Sequence, residues 1–211
     1  VADPGGPYTC DLGSGITLDG SSSHDPDEGC GDEIVEWRWE IDNDGQYDDH
    51  SGPVFAVPEA TVTSLGLGSH PVSLRVRDEF GVTHTASTTL SVYDNRPFAS
   101  FTNFPEPAAC NQAVTFDATT STHGRPDRSI VLYEWDFDYT GGSFTPDATG
   151  PTVQHAYPAF GTYTPALRVT DDNSPAKTDM VTGTATVNQG NQAPVADPGG
   201  PYTCDLGSGI T

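Results

Sequence analysis

A chain of 211 residues has room for one large or two small folded units with real cores, and 34% hydrophobic residues with 23 glycines and 18 prolines suit a turn-rich β protein rather than a helical one. Its 30 acidic groups against 8 basic ones leave a formal net charge of −22, which repels phosphate backbones and anionic headgroups; nucleic acid and bare membrane are poor partners, and divalent cations are good ones. No run of 18 apolar residues occurs, so no membrane span is expected in this stretch.

Residues 1–17, VADPGGPYTCDLGSGIT, recur letter for letter as residues 195–211, a period of 194. Such identity predicts recently duplicated units in a longer polypeptide, with both ends of the chain falling inside the array. Gly13-Ser14-Gly15 resembles a nucleophile elbow only superficially, because G-x-S-x-G is not satisfied; it reads as a turn. Cys10 and Cys30 bracket a loop-rich segment in a chain without CxxC, and are expected to form a disulfide worth about 3 kcal/mol, which places the protein outside the reducing cytosol. Asp25 and Asp27 follow in Ser-His-Asp-Pro-Asp-Glu-Gly.

In Val35-Glu36-Trp37-Arg38-Trp39-Glu40-Ile41 the odd positions are apolar and the even ones charged, the period of a half-buried strand with Trp37 and Trp39 in the core. The loop Glu40-Ile-Asp42-Asn-Asp44-Gly45-Gln-Tyr-Asp48-Asp49 comes next. Oxygen ligands at alternating positions before a turn glycine suit a hard cation, calcium above all. The match to an EF-hand loop is partial, since Ser51 stands where a bidentate Glu is required. Two readings stand: a calcium loop using Asp42, Asp44 and Asp48, or a hairpin turn with solvated carboxylates. Gly68–Asp78 is a further strand with Leu74 and Val76 inward; Asp78 at its end is expected to join Asp25 and Asp27 at one end of the fold. A Thr/Val-rich strand, His84–Val92, closes the first unit.

Asp94-Asn95-Arg96-Pro97 is a short polar connector. Beyond it the landmarks repeat. Val131-Leu132-Tyr133-Glu134-Trp135-Asp136-Phe137-Asp138 has the same alternation 96 residues on; Gly150-Pro151 matches Gly52-Pro53; Gly161–Asp171 matches Gly68–Asp78, placing Leu167 and Val169 against Leu74 and Val76. Trp135 is assigned to the core with them. Met180–Val187 closes this unit before the connector 188–194. The chain thus reads as module 1 (1–94), module 2 (97–188) and the first strand of another repeat (195–211), with all-β, sandwich-type modules in an extended array. A second acidic set, Asp136, Asp138, Asp171 and Asp172, lacks the Asp-x-Asp-Gly loop and is the weaker cation candidate. Cys110 leaves an odd thiol per period, either a buried small residue or a covalent link in an assembly. Histidines 24, 50, 70, 84, 123 and 155 are scattered without metalloprotease spacing.

Over essentially its whole length the chain resembles the PKD (polycystic kidney disease) domain family, especially its bacterial extracellular examples. Tyr133-Glu-Trp-Asp-Phe-Asp138 is similar to the family's Y-x-W-D-F-G-D-G strand, His155-Ala-Tyr157 and Gly161-Thr-Tyr163 to its H-x-Y and G-x-Y segments, and Leu167-Arg-Val-Thr-Asp171 to its L-x-V-x-D. Module 1 departs from the pattern, with Trp39-Glu-Ile-Asp42 for W-D-F-G and Gly68-Ser-His70 for G-x-Y. The resemblance implies an Ig-like β-sandwich and a binding or spacing role outside the cell, with calcium held by acidic residues near module ends.

The expected function is therefore structural or adhesive: a secreted bacterial stalk, adhesin or fibril, with neighbouring copies of itself as partners and calcium as a stiffening ion. The alternative is an accessory module binding polysaccharide or matrix protein beside a secreted hydrolase. No nucleophile, base and orienting group can be assembled from the motifs, so no catalytic residues are expected. A strand at 195–211 also permits donation into a neighbour's sheet edge, although each chain already owns residues 1–17.

Overall fold

Alternating side chains and glycine-proline turns dictate a protein built almost wholly of strands. The structure, a computed structural model, describes residues 1–189 and Gly199; the strand expected at 195–211 and Cys204 otherwise lie outside the described residues. The first half contains β1 (Tyr8–Asp11), β2 (Ile16–Asp19), β3 (Ile34–Glu40), β4 (His50–Ser51), β5 (Val54–Val57), helix α1 (Glu59–Leu65), β6 (Gly68–Asp78) and β7 (Thr83–Tyr93), with a 3-10 turn at Glu28–Cys30. One sheet runs β1-β7-β6-β3-β4, and β2 pairs with β5 in a second. β1 runs parallel to β7, while β3, β6 and β7 are antiparallel. Between the sheets lie Leu18, Trp39, Ile41, Phe55, Val57, Leu74, Val76, Leu90 and Val92.

The second half holds β8 (Pro97–Phe98), β9 (Thr102–Phe104), β10 (Ala108–Ala109), β11 (Ala113–Asp117), β12 (Thr122–His123), β13 (Ile130–Asp136), β14 (Ala148–Thr149), β15 (Thr152–Ala156), β16 (Gly161–Tyr163), β17 (Ala166–Asp171), β18 (Thr178–Thr182) and β19 (Ala185–Asn188). Its core, with Phe116, Trp135, Phe137, Leu167, Val169 and Val187, is a separate cluster. β13 and β17 take the places of β3 and β6, and β10 runs parallel to β19 as β1 does to β7. One difference lies in the central hairpin. The 11-residue β6, which carries Pro71 within its ladder, has two counterparts, β16 and β17, separated at Thr164-Pro165; Pro165 has no N–H to give there, and its carbonyl accepts from Gly183 N (2.9 Å).

The two halves share their central contact. Trp39 and Trp135 are both 0% exposed, and each indole Nε1 donates at 2.9 Å, to the carbonyls of Gly52 and Gly150 respectively. Those glycines have φ of 123° and 126°, open to glycine and costly for other residues. The chain is therefore a pair of Ig-like β-sandwich modules. Leu74, Val76, Leu167 and Val169 are buried; Trp37 is half-buried against the same core.

Two expectations need correction. Val35, in the apolar phase of β3, is 47% exposed, because Ile34 faces Asp78 while Glu36 faces Arg77, leaving Val35 in a bulge. Val131 repeats this at 61% exposed, between Ile130 opposite Asp171 and Leu132 opposite Thr170. Nor are Cys10 and Cys30 joined: both are free thiols, Cys10 buried and Cys30 exposed. Cys10 is level with Val92, which faces Gly68 at the start of β6, whereas Cys30 precedes Ile34, which faces Asp78 at the strand's other end. Ten residues of strand span about 33 Å, and the four residues from Cys30 to Ile34 cannot close that to the roughly 6 Å between Cα atoms that a disulfide needs.

Candidate functional site

Strand ends bring carboxylates together that lie far apart in sequence. At the end of β6, Asp78 meets Asp25 and Asp32, with one carboxylate oxygen from each lying within 4.8 Å of the others. Asp78 is buried; its Oδ1 accepts from Val82 N at 2.9 Å. Asp25 Oδ1 accepts from Asp27 N at 2.9 Å, so Asp27 shapes this loop through its backbone rather than joining the triad. Asp32 Oδ1 is shielded from solvent and has no hydrogen-bond partner among the described residues. Loss of hydration, then the charges of Asp78 and Asp25, push the Asp32 carboxyl above its ordinary range.

A second triad forms where β3 ends. Glu40, Asp42 and Asp49 each offer an oxygen within 4.8 Å of the other two. Asp49 Oδ2 accepts from Ile41 N (2.6 Å) and Asp42 N (3.4 Å), tying the far side of the loop to the strand end. Asp44 N donates to Glu40 Oε1 (3.2 Å) and Asp42 Oδ1 (3.1 Å). Asp44 itself caps Gln46 N (2.7 Å), so Asp44 is a turn residue and is not in the triad, nor is Asp48. Of the six aspartates the sequence nominated, Asp25 and Asp78 come together at one site and Asp42 at another, while Asp27, Asp44 and Asp48 belong to neither. Asp32, Glu40 and Asp49 complete the triads. Asp49 was hidden because the ladder, not the Asp-x-Asp spacing, selects which of two adjacent acids points back.

Module 2 carries both positions with different chemistry. Asp136, at Glu40's place after the tryptophan, gathers with Asp138 and Asp147. Its two oxygens accept from Asp138 N (3.4 Å) and Thr145 N (2.9 Å). Asp171, at Asp78's place, meets His123 Nε2 at 3.1 Å and accepts from Lys177 N at 2.7 Å. His123 stands where module 1 has Asp25, so the cluster closes on its own imidazole. Burial opposes ionisation of Asp171, but the bonds from Lys177, Asn173 and His123 outweigh it and hold the carboxyl down at about 2. The four acids nominated in module 2 are thus not one set: Asp172 instead accepts from Ser129 Oγ at 3.0 Å.

Between the modules lies a polar joint that sequence reasoning missed. The Arg125 guanidinium bonds to Asp11 and lies 5.6 Å from the Tyr93 ring centre. Asn95, in the connector, donates to Asp11 Oδ2 (2.7 Å), accepts from Asn173 Nδ2 (2.9 Å), and offers its carbonyl to Lys177 Nζ (2.6 Å). Burial works against Asp11 as an anion, yet Arg125 and Asn95 hold its carboxyl below the usual range. Cys110 is half-buried, its Sγ 3.7 Å from Asn188 O.

Two β-sandwich modules in series, joined by a short polar connector and carrying acids at their ends, define a class of modular, repeat-built protein. Within it, residues 94–187, the second module, match the profile of the PKD domain. Among curated proteins it is 30% identical over 191 residues to the rat (Rattus norvegicus) dyslexia-associated protein KIAA0319 homolog, an alignment covering 86% of this chain and 16% of that protein. The chain therefore spans about a sixth of that relative's length. Among solved structures, the PKD1 domain of Vibrio anguillarum Epp is 26% identical, covers 45% of this chain and 96% of that one, and has a TM-score of 0.35. The PKD1 domain of the Vibrio cholerae metalloprotease PrtV is 28% identical, with coverages of 44% and 99% and a TM-score of 0.33.

Proposed function

We propose that this chain is a length of a secreted or cell-surface repeat protein in which PKD modules in series act as a non-catalytic spacer or adhesive stalk. The observation that carries this reading is the letter-for-letter return of residues 1–17 at 195–211. Duplication adds reach without adding chemistry, and self-sufficient beads tolerate it because each closes its own core. The Arg125–Asp11–Asn95 joint supports the reading by limiting how adjacent beads swing. Calcium bound by Asp25, Asp32 and Asp78 would brace the end of module 1, where a shielded carboxylate oxygen lacks a protein partner among the described residues.

The other reading, an accessory glycan-binding module, calls for ring faces open to a sugar; the Trp39 and Trp135 indoles are sealed in the cores and Trp37 is half-buried. Rotary-shadowed electron microscopy of polypeptides with one, two and four 194-residue units tests the spacer. Contour length proportional to unit number is the expected result; compact particles of constant dimension refute it, and selective binding on a glycan array favours the alternative.

A further inference from the structure

The triad at the end of β3 differs from its module 2 counterpart in one respect that points to a ligand. Both follow the buried tryptophan of the central strand, and both gather three carboxylates within 4.8 Å. In module 2 the strand-end acid is Asp136, and backbone amides occupy both of its oxygens. Module 1 has Glu40, only 6% exposed, whose Oε1 accepts from Asp44 N while Oε2 is shielded and has no partner among the described residues. An oxygen removed from water without a replacement contact costs free energy, and more when it carries charge. Lysine and arginine are absent from the loop itself, residues 40–49.

We propose that Glu40, Asp42 and Asp49 form a calcium site in module 1, distinct from the Asp25–Asp32–Asp78 triad and without a functional equivalent in module 2. The geometry suits the ion. Oxygens about 2.4 Å from a common centre lie at most about 4.8 Å apart, and the three ligand oxygens lie within that distance of one another. All three ligands are hard oxygens with no nitrogen or sulfur among them, which favours calcium over zinc or copper. Three carboxylates leave positions for water, as expected of an outward-opening loop in which Asp42 is exposed and Asp49 half-buried. Burial, joined by the charges of Asp44, Asp49 and Asp42, pushes the Glu40 carboxyl above its ordinary range against the opposing pull of the Asn43 backbone N–H, a penalty that a divalent cation removes. The site is independent of the spacer reading: binding here would tie the β3–β4 loop to the sheet whatever the array does.

Hydrogen–deuterium exchange of the 211-residue chain at neutral pH, with millimolar calcium or with chelator, tests it. With calcium at ten times its dissociation constant, amides of residues 41–49 are expected to exchange about tenfold more slowly, and Glu40→Gln to lose that slowing. Asp42→Asn, at an exposed position, is read in the same way should Glu40→Gln disturb the sheet, which the chelator-treated exchange of β6 and β7 reports. Loop exchange indifferent to calcium overturns the site. So does equal slowing in wild type and a folded Glu40→Gln or Asp42→Asn variant.

Discussion

Gly20 and Ala118 occupy the same place in the two modules: Gly20 N donates to Pro53 O and Ala118 N to Pro151 O, both at 2.8 Å. A methyl fits in module 2, where Ala118 is buried. In module 1 a Cβ on Gly20 would lie 2.5 Å from Leu74 Cδ2 and 2.9 Å from Trp39 Cζ2, both on side chains with nowhere to move. Gly20→Ala is therefore expected to destabilise module 1 by about 1–3 kcal/mol, read from the denaturant midpoint by tryptophan fluorescence; an unchanged midpoint contradicts the packing. Asp171 makes a second residue-level case. Its carboxyl titrates near 2 in the fold against 3.8 as the ordinary value, so across that window the unfolded chain binds more protons. The stability it contributes is complete above about pH 4 and is lost as pH falls toward 2. Unfolding of module 2 should accordingly become easier over that interval, and Asp171→Asn should flatten the dependence. A variant with the wild-type slope would show that other acids govern it.

At the scale of strands, the central alternation of each module was legible because burial on one face leaves a period of two. Trp39, Ile41, Trp135 and Phe137 are inward as that period requires. Val35 and Val131 are not, because a bulge inserts one residue and resets the phase, and hydrophobicity carries no mark of a bulge. Val35→Asp and Val131→Asp are expected to shift unfolding free energy by less than about 0.5 kcal/mol, against several for polar replacement of Trp39 or Trp135. Thermal melts of the four variants decide it: a steep loss at either valine would place it in the core. The disulfide expectation failed for a related reason. Cysteine spacing measures chain length, but strand register decides distance, and β6 separates the ends where Cys10 and Cys30 lie. The acidic loops were legible as cation candidates, whereas the choice of Asp49 over Asp48, and the arrival of Asp32, depended on pairings between strands.

For the whole molecule, the two modules are alike in their cores and differ at their ends. Module 2 meets its acids with its own groups, His123 at one end and backbone amides at the other, while both triads of module 1 retain an oxygen without a partner among the described residues. The joint is equally specific, since Asp11 comes from β1 of one module and Arg125 from the β12–β13 loop of the next. Both side chains are largely shielded, which spares the contact some of the screening that makes exposed ion pairs nearly worthless. Among the described residues the two cores share no apolar cluster, so their relative orientation rests on the short connector and on this polar contact. Arg125→Ala is therefore expected to leave each core intact and to free their relative motion, because it removes the Asp11 bond and the Tyr93 contact together. Backbone 15N relaxation reads this directly. Wild type should give one rotational correlation time for both modules, and Arg125→Ala two shorter ones with core amide shifts unchanged; a common time in the variant would mean that Asn95 and Lys177 suffice to hold the beads in line.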